Sequence, residues 1–172
     1  MVQEKLHDMH KGTCLTNLSK QSKLRIYSTY KTSYATETYV EANLPRNQRS
    51  LIAHLRSGTL PLNIETMHFG LFHKPEDRLC KFCSVVEDEN HFIFECKLFE
   101  TRRLAFFSSL GKSIDYIKNL SNNVKWQMLM SKSVIYKFDK YVQDIFHSAT
   151  KTDCIRSKYS IKVYYLLLIC SA

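Results

Sequence analysis

The chain has 172 residues, of which 44% are hydrophobic and 12% aromatic, with only 4 Gly and 3 Pro. This composition excludes a disordered tail, a collagen-like repeat and a flexible linker, and the length favours one domain. Lysine and arginine number 25 against 16 acidic residues, which gives a formal net charge of +9. Such an excess points to polyanionic partners, either nucleic acid or an anionic membrane surface.

The N-terminal sequence, the cysteines and the apolar run near the C-terminus indicate the cellular compartment. Charged and histidine side chains interrupt the first residues, 1–11, so no apolar core of a secretory signal is present there. We therefore interpret the six cysteines as reduced and expect an intracellular protein, in the nucleus or cytoplasm and not secreted. The most apolar run, 161–170, is far shorter than the ~20 residues that span a bilayer. We expect no membrane partner.

Three units are predicted along the chain. Residues 1–22 form an N-terminal segment that is a candidate flexible region, 23–151 form the domain, and 152–172 form an irregular or degenerate tail. The domain begins with a basic, tyrosine-rich stretch in which four residues fit a helical face loosely. These are Leu24, Tyr27, Tyr30 and Tyr34.

A clearer helix is predicted next, between Pro45 near its first turn and Gly58 as its C-terminal stop. Its apolar side consists of Leu51, Ile52 and Leu55. The Leu-Pro-Leu sequence at 60–62 then favours an extended segment, because the residue before a proline avoids the helical region.

The helical pattern returns after the central cysteines. Helices are predicted over 98–110, with Gly111 at the end, and around 124–130. The best amphipathic pattern runs over 133–151, with Ser133 as N-cap and apolar residues at three- and four-residue steps. The predicted fold class is mainly α: a small helical domain built around one metal-binding loop, with short extended segments near that loop.

The strongest chemical signal is a cysteine and histidine cluster with the spacing C-x2-C-x7-H-x4-C, formed by Cys80, Cys83, His91 and Cys96. A CxxC pair lets two thiolates converge from one tight turn, and the later His and Cys complete a tetrahedral Cys3His site. Four protein ligands leave no open position for water, so the pattern predicts one structural Zn²⁺ ion and no metal-activated catalysis. We call residues 78–99 the metal loop.

Four stretches, including the metal loop, carry a resemblance to a known family. They are 44–46 (LPR), 55–58 (LRSG), 61–66 (PLNIET) and 78–99. Together they resemble the zinc-binding region that follows the polymerase domain in non-LTR (LINE-type) retrotransposon reverse transcriptases. Two positions depart from the family pattern: Met67-His68 replaces a Gly-Arg pair, and Lys97 stands where many members have proline.

The resemblance implies a non-catalytic accessory module that binds RNA or DNA largely without sequence specificity. Reverse transcriptases place paired aspartates on two metal ions, and this chain contains no Asp-Asp pair. Phosphate-binding loops and nucleophile elbows are also missing from the sequence. We therefore expect no enzymatic activity and no small-molecule substrate, and a chain that is a fragment or relic of an RNA-directed DNA polymerase.

The positive charge is unevenly distributed. Residues 1–62 carry nine basic and four acidic side chains (+5), 63–100 carry four and eight (−4), and 101–172 carry twelve and four (+8). Zinc bound by three thiolates would add a further −1 to the middle segment. We therefore expect the metal loop to act as a clamp between 27–56 and the helices over 98–151, while these flanks contact phosphate.

The candidate nucleic-acid contacts are basic residues on two predicted helices and two tyrosines. They are Arg46, Arg49, Arg56, Lys132, Lys137, Lys140, Tyr27 and Tyr30. The tyrosines either stack on unpaired bases or pack in the core, and the lysines either bind phosphate or form an ordinary solvated helix face.

The alternative function is a zinc-stabilised protein–protein interaction module. It would dock a partner through a solvated acidic loop, Glu87 to Glu89, and an exposed Phe92 or Phe94. Phosphate-driven binding falls steeply with salt, whereas protein docking need not, so salt dependence separates the two functions.

Overall fold

The computed structural model describes residues 2–33, 35–66 and 75–152. The α-helices in these ranges are α1 (Val2–Ser19), α2 (Arg25–Tyr30), α3 (Thr38–Glu41), α4 (Arg46–Arg56), α5 (Asn63–Thr66), α6 (Glu100–Ser109), α7 (Ile114–Lys118), α8 (Asn122–Leu129) and α9 (Ile135–Lys151). Short 3₁₀ turns cover Ser22–Leu24, Pro75–Arg78 and Lys97–Phe99, and a π-helical turn covers His91–Glu95. The predicted mainly α class is confirmed.

Helix α4 ends where its sequence predicts. Gly58 has a φ of +63°, in the left-handed region that favours glycine after a helix. A Cβ atom at this position would lie 2.2 Å from the carbonyl oxygen of Lys23. Glycine is therefore required twice here, by its backbone conformation and by the close approach of the turn that precedes α2.

The later helices match the prediction in type, with one correction at an end. Gly111 follows α6 with a φ of +66°. Val134 is the N-cap of α9, so the predicted cap, Ser133, is wrong. The turn before α9 shifts the helix start past Ser133, whose hydroxyl instead lies 3.2 Å from that of Ser131.

The core is centred on α9. Helices α4 and α6 both pack against α9, while α2 packs against α8 and α1 against α2. The phenyl ring of Phe106 stacks on Tyr141 with centroids 4.5 Å apart, and Trp126 meets Phe138 edge to face at 6.3 Å. Aromatic contacts from α9 therefore join it to α6 and α8.

The N-terminal segment, for which no helix is predicted, contains α1. The predicted tail lies outside the described residues from 153 onward, as do Tyr34 and the apolar run 161–170. Among the described residues, no helix combines the length and the apolar character that crossing a bilayer requires.

Candidate metal centre

The first two ligands lie on a tight turn. Leu79 and Val86 form an antiparallel bridge, and inside it the backbone N–H of Cys80 donates to the carbonyl of Val85 at 2.7 Å. The N–H of Ser84 donates back to the carbonyl of Cys80 at 2.8 Å, with Ser84 at a φ of +56°. This reversal of the chain turns both thiols of the CxxC pair toward the same side.

The last two ligands are brought together by the π-helical turn. In an α-helix, residues five positions apart are separated by about 140° around the axis, so His91 and Cys96 would point in different directions. Here the N–H of Cys96 donates to the carbonyl of His91 at 2.8 Å, which is the i to i+5 bond of a π turn. The wider turn places both side chains on one side. Asp88 caps its start, accepting from the N–H of His91 at 2.7 Å.

The four ligand atoms converge. One ligand atom each from Cys80, Cys83, His91 and Cys96 lies within 4.8 Å of the other three. The sulfur atoms of Cys80 and Cys96 are 3.8 Å apart. A tetrahedral ion with metal–sulfur bonds of ~2.3 Å separates its sulfur ligands by about this distance. These four residues can therefore bind one metal ion.

The surroundings of the ligands fit a bound cation. His91 is buried, and neither of its ring nitrogens makes a hydrogen bond with standard geometry. Buried polar atoms are normally satisfied, so a coordinated ion would account for one of the two nitrogens. The Nδ1 atom lies 3.8 Å from the carboxylate of Glu95. Burial raises the pKa of the Cys80 thiol to about 12, although the N–H groups of Phe82 and Cys83 favour the thiolate. A metal ion is what would keep this sulfur deprotonated at neutral pH.

On its N-terminal side the metal loop is held by charged groups. The Arg25 guanidinium contacts Glu89 at 2.7 and 2.8 Å and Glu65 at 2.8 Å. Glu87 accepts from the backbone N–H of Asn63 at 3.0 Å. Glu87 and Glu89 are both fully buried, so the predicted solvated acidic loop is wrong. These carboxylates instead attach α2 and α5 to the loop.

On its C-terminal side the loop is held by hydrogen bonds from α6, α8 and α9. Trp126 donates to Asn90 at 2.8 Å, Tyr141 to the carbonyl of Ile93 at 2.8 Å, and Arg103 to the carbonyl of Cys96 at 3.0 Å.

The two phenylalanines of the alternative docking surface lie on this same side. Phe92 is fully buried, so the prediction that it is exposed is wrong. Phe94 is half-buried with its ring 5.2 Å from that of Trp126. The Phe92 ring meets that of Phe99 edge to face at 5.1 Å, so both phenylalanines pack against other aromatic rings.

Five of the predicted nucleic-acid contacts lie in the first two turns of α4 and α9 or just before α9, and the Lys137 ammonium donates to the carbonyl of Ser109 at 2.8 Å. The backbone N–H of Asn43, just before α4, donates to the hydroxyl of Tyr136 in the first turn of α9 at 3.0 Å. The starts of α4 and α9 are therefore adjacent. All five basic residues near these starts are exposed: Arg46, Arg49, Lys132, Lys137 and Lys140. We call this set the basic end.

The remaining three candidates belong to a packed cluster. The Arg56 guanidinium lies 4.2 Å from the centre of the Tyr27 ring and 3.7 Å from the carboxylate of Glu37. The Tyr27 hydroxyl donates to the same carboxylate at 2.9 Å, and burial raises the pKa of Tyr27. Tyr30 is buried. The structure thus places Arg56, Tyr27 and Tyr30 between α2 and α4, away from the basic end.

Two residues that hold the metal loop in place were not predicted from the sequence. Arg25 is 64 positions from Glu89, and Arg103 is a basic residue buried in the second half of the domain. No local motif marks either residue, since each acts through contacts made only after folding.

No protein-family model, curated protein or solved structure matches this chain.

Proposed function

We propose that the protein is a non-catalytic zinc-binding module of the reverse-transcriptase type, which binds RNA or DNA largely without sequence specificity through the basic end. Zinc would have a structural role, because all four tetrahedral positions are filled by protein ligands. The family assignment depends on the motifs of the metal loop and of 44–66.

Zinc is favoured over other metals by the donor set. Three thiolates and one imidazole are soft and borderline ligands, which suit Zn²⁺ and disfavour Mg²⁺ or Ca²⁺. The N–H of Lys97 also points at the sulfur of Cys83 at 3.4 Å, a contact that supports a thiolate ligand. A measured stoichiometry of one zinc per chain in purified protein would agree with this assignment.

The observation that carries the binding proposal is the adjacency of the starts of α4 and α9. Each helix start carries a partial positive charge from its unpaired N–H groups. Arg46 is the first residue of α4, and Lys132 lies in the turn before α9. Exposed cations beside two helix starts form a surface that attracts phosphate irrespective of base sequence.

The acidic segment 63–100 repels phosphate less than its formal charge of −4 indicates. Of its eight carboxylates, Glu65, Glu87 and Glu89 are buried. Glu65 and Glu89 are paired with Arg25. The negative charge that remains at the surface of this segment is therefore smaller than −4 indicates.

The test is a charge reversal at the basic end, Arg46→Glu with Arg49→Glu. Both side chains are exposed, so the fold should survive. We expect the magnitude of the slope of log binding constant against log salt to fall by about 1.4, because each lost contact with a single-strand phosphate removes about 0.7. Filter binding of a single-stranded oligonucleotide in rising salt measures it.

The matched control reverses two exposed lysines outside the basic end, Lys5→Glu with Lys151→Glu. This control changes the net charge equally and should leave most of the slope intact. Equal losses in both double variants would show only a general charge effect, and the basic end would have no special role.

A protein–protein interaction module remains the second candidate, now on a different surface. Phe82, Val85 and Val86, at the tip of the CxxC turn, are each about half exposed. Apolar side chains held on a rigid turn are suited to docking a partner. Oligonucleotide binding that is absent at low salt in the wild-type protein would favour this function.

A further inference from the structure

A groove runs between the end of the metal loop and helices α6 to α8. It encloses about 510 Å³, within the range of small-molecule sites. Five of its eleven lining residues are apolar: Phe94 at the metal loop, and Leu104, Phe107, Ile114 and Ile117 from α6 and α7. Leu104 is 45% exposed, so this apolar lining is open to a ligand.

The charged residues of the groove come from two parts of the chain. Lys118 and Lys125 come from α7 and α8. The Lys125 ammonium lies 3.5 Å from the carbonyl oxygen of Lys118 and 5.6 Å from the centre of the Phe94 ring. Glu95, Lys97 and Glu100 come from the segment 95–100. The first two lysines are thus suited to an anion, and the two glutamates offer carboxylate acceptors.

Arg103 adds positive charge to the groove. It lines the groove although only 5% of it is exposed. Within the described ranges its guanidinium has no ion pair with a carboxylate, and it donates to the carbonyl of Cys96 at 3.0 Å. With four basic and two acidic side chains, the groove is formally +2.

We propose that this groove binds one unpaired nucleotide of a single-stranded nucleic acid. The phosphate lies at Lys118 and Lys125, and the base lies against the apolar lining. The carboxylates of Glu95 and Glu100 accept from an exocyclic amino group, as Asp and Glu do from the N4 amino group of cytosine. The proposal rests on the proposed nucleic-acid function and adds the selection of unpaired, amino-bearing bases.

The first test uses isolated nucleotides with the full, zinc-loaded chain. CMP, UMP and cytidine are titrated by calorimetry or by chemical-shift changes. We expect CMP to bind at least about fivefold more tightly than UMP, which has no amino donor. Cytidine, which has no phosphate, should also bind more weakly than CMP. Equal binding of the three ligands, or binding of none, would overturn the proposal.

Two groove variants are each compared with a matched control. Lys118→Glu is paired with Lys151→Glu, and Leu104→Glu with Val40→Glu on α3, which is 48% exposed and does not line the groove. We expect both groove variants to lose CMP binding and both controls to keep it. The assignment of the groove would be wrong if the groove variants kept their CMP binding. It would also be wrong if the wild-type protein bound an acidic leucine-containing peptide and did not bind CMP.

Oligonucleotides separate this proposal from the proposed function. A single strand should bind more tightly than the matching duplex, because a paired base cannot enter the groove. The groove variants should remove that preference, whereas the basic-end variant should weaken both ligands alike. Salt-dependent binding without any single-strand preference would refute the groove alone. CMP binding without salt-dependent oligonucleotide binding would refute the basic end alone.

Discussion

The two sides of the metal loop are attached to the rest of the domain by different interactions. Toward α2 and α5 the loop presents buried carboxylates to Arg25 and to backbone N–H groups. Toward α6, α8 and α9 it presents buried aromatic rings and accepts single hydrogen bonds from Trp126, Tyr141 and Arg103. The first attachment depends on charge neutralisation, and the second depends mainly on apolar burial.

Two buried carboxyl groups also differ in whether a cation lies beside them. Glu89 is fully buried with Arg25 as its counter-ion; burial raises its pKa, and the arginine opposes that shift. Asp139, on α9, is 1% exposed and accepts from Gln143 at 2.9 Å, while its second oxygen has no hydrogen bond. Burial raises the pKa of Asp139 to about 6. Of these two carboxyl groups, only Glu89 has an ion-pair partner among the described residues.

The largest expected effect comes from disrupting the cluster of four candidate metal ligands, which lies between the two sides. We expect Cys80→Ser to abolish zinc binding and cooperative unfolding, because structural zinc supplies roughly 10 kcal/mol or more in small domains. Native mass spectrometry and circular dichroism would measure both. The control is Cys14→Ser, an exposed cysteine on α1, which should change neither. A folded Cys80→Ser protein with one zinc per chain would disprove the clamp.

The second-largest expected effect comes from breaking the ion pairs on the α2 and α5 side of the metal loop. Arg25→Met should destabilise the protein by about 3–5 kcal/mol, because it leaves Glu65 and Glu89 buried without their cation. Urea unfolding at pH 7 would measure it. The control is Arg102→Met, which breaks an exposed pair with Asp144 at 3.1 Å and should cost no more than about 1 kcal/mol. Similar losses of stability in Arg25→Met and Arg102→Met would show that the buried ion pairs contribute no more than the exposed pair.

The smallest expected effect is a gain in stability, and it comes from neutralising the buried carboxyl group of Asp139. The folded pKa of Asp139, about 6, lies above its ordinary value of 3.8. Its contribution to stability is therefore greatest below about pH 4 and is lost as pH rises toward 6. Asp139→Asn should remove this dependence and stabilise the protein at pH 7 by up to about 3 kcal/mol.

Urea unfolding at pH 4 and pH 7 would show the Asp139 effect. The control is Asp144→Asn on the same helix, where the carboxylate is 61% exposed and neutralisation should change little. A loss of stability at pH 7 in Asp139→Asn would indicate that the ionised carboxylate has a favourable partner.

The sequence predicts those parts of the fold that depend on local patterns. The C-x2-C-x7-H-x4-C spacing identifies the four ligands, and the apolar period identifies α9. The burial of Glu87, Glu89 and Phe92 could not be predicted in this way, since acidic residues are usually solvated and the π turn has no sequence signature. Contacts such as Arg25 with Glu89 join residues 64 positions apart, beyond the reach of any periodicity.

The separation of these contacts along the chain has a consequence for the order of folding. Cys80 and Cys96 are only 16 positions apart, so coordination closes a short loop at small entropic cost. The bonds from this loop to Trp126, Tyr141 and Arg25 span 36, 48 and 64 positions. Long-range contacts of this kind slow folding when they must form unaided. A metal ion bound early would provide a local nucleus on which the two halves of the chain assemble.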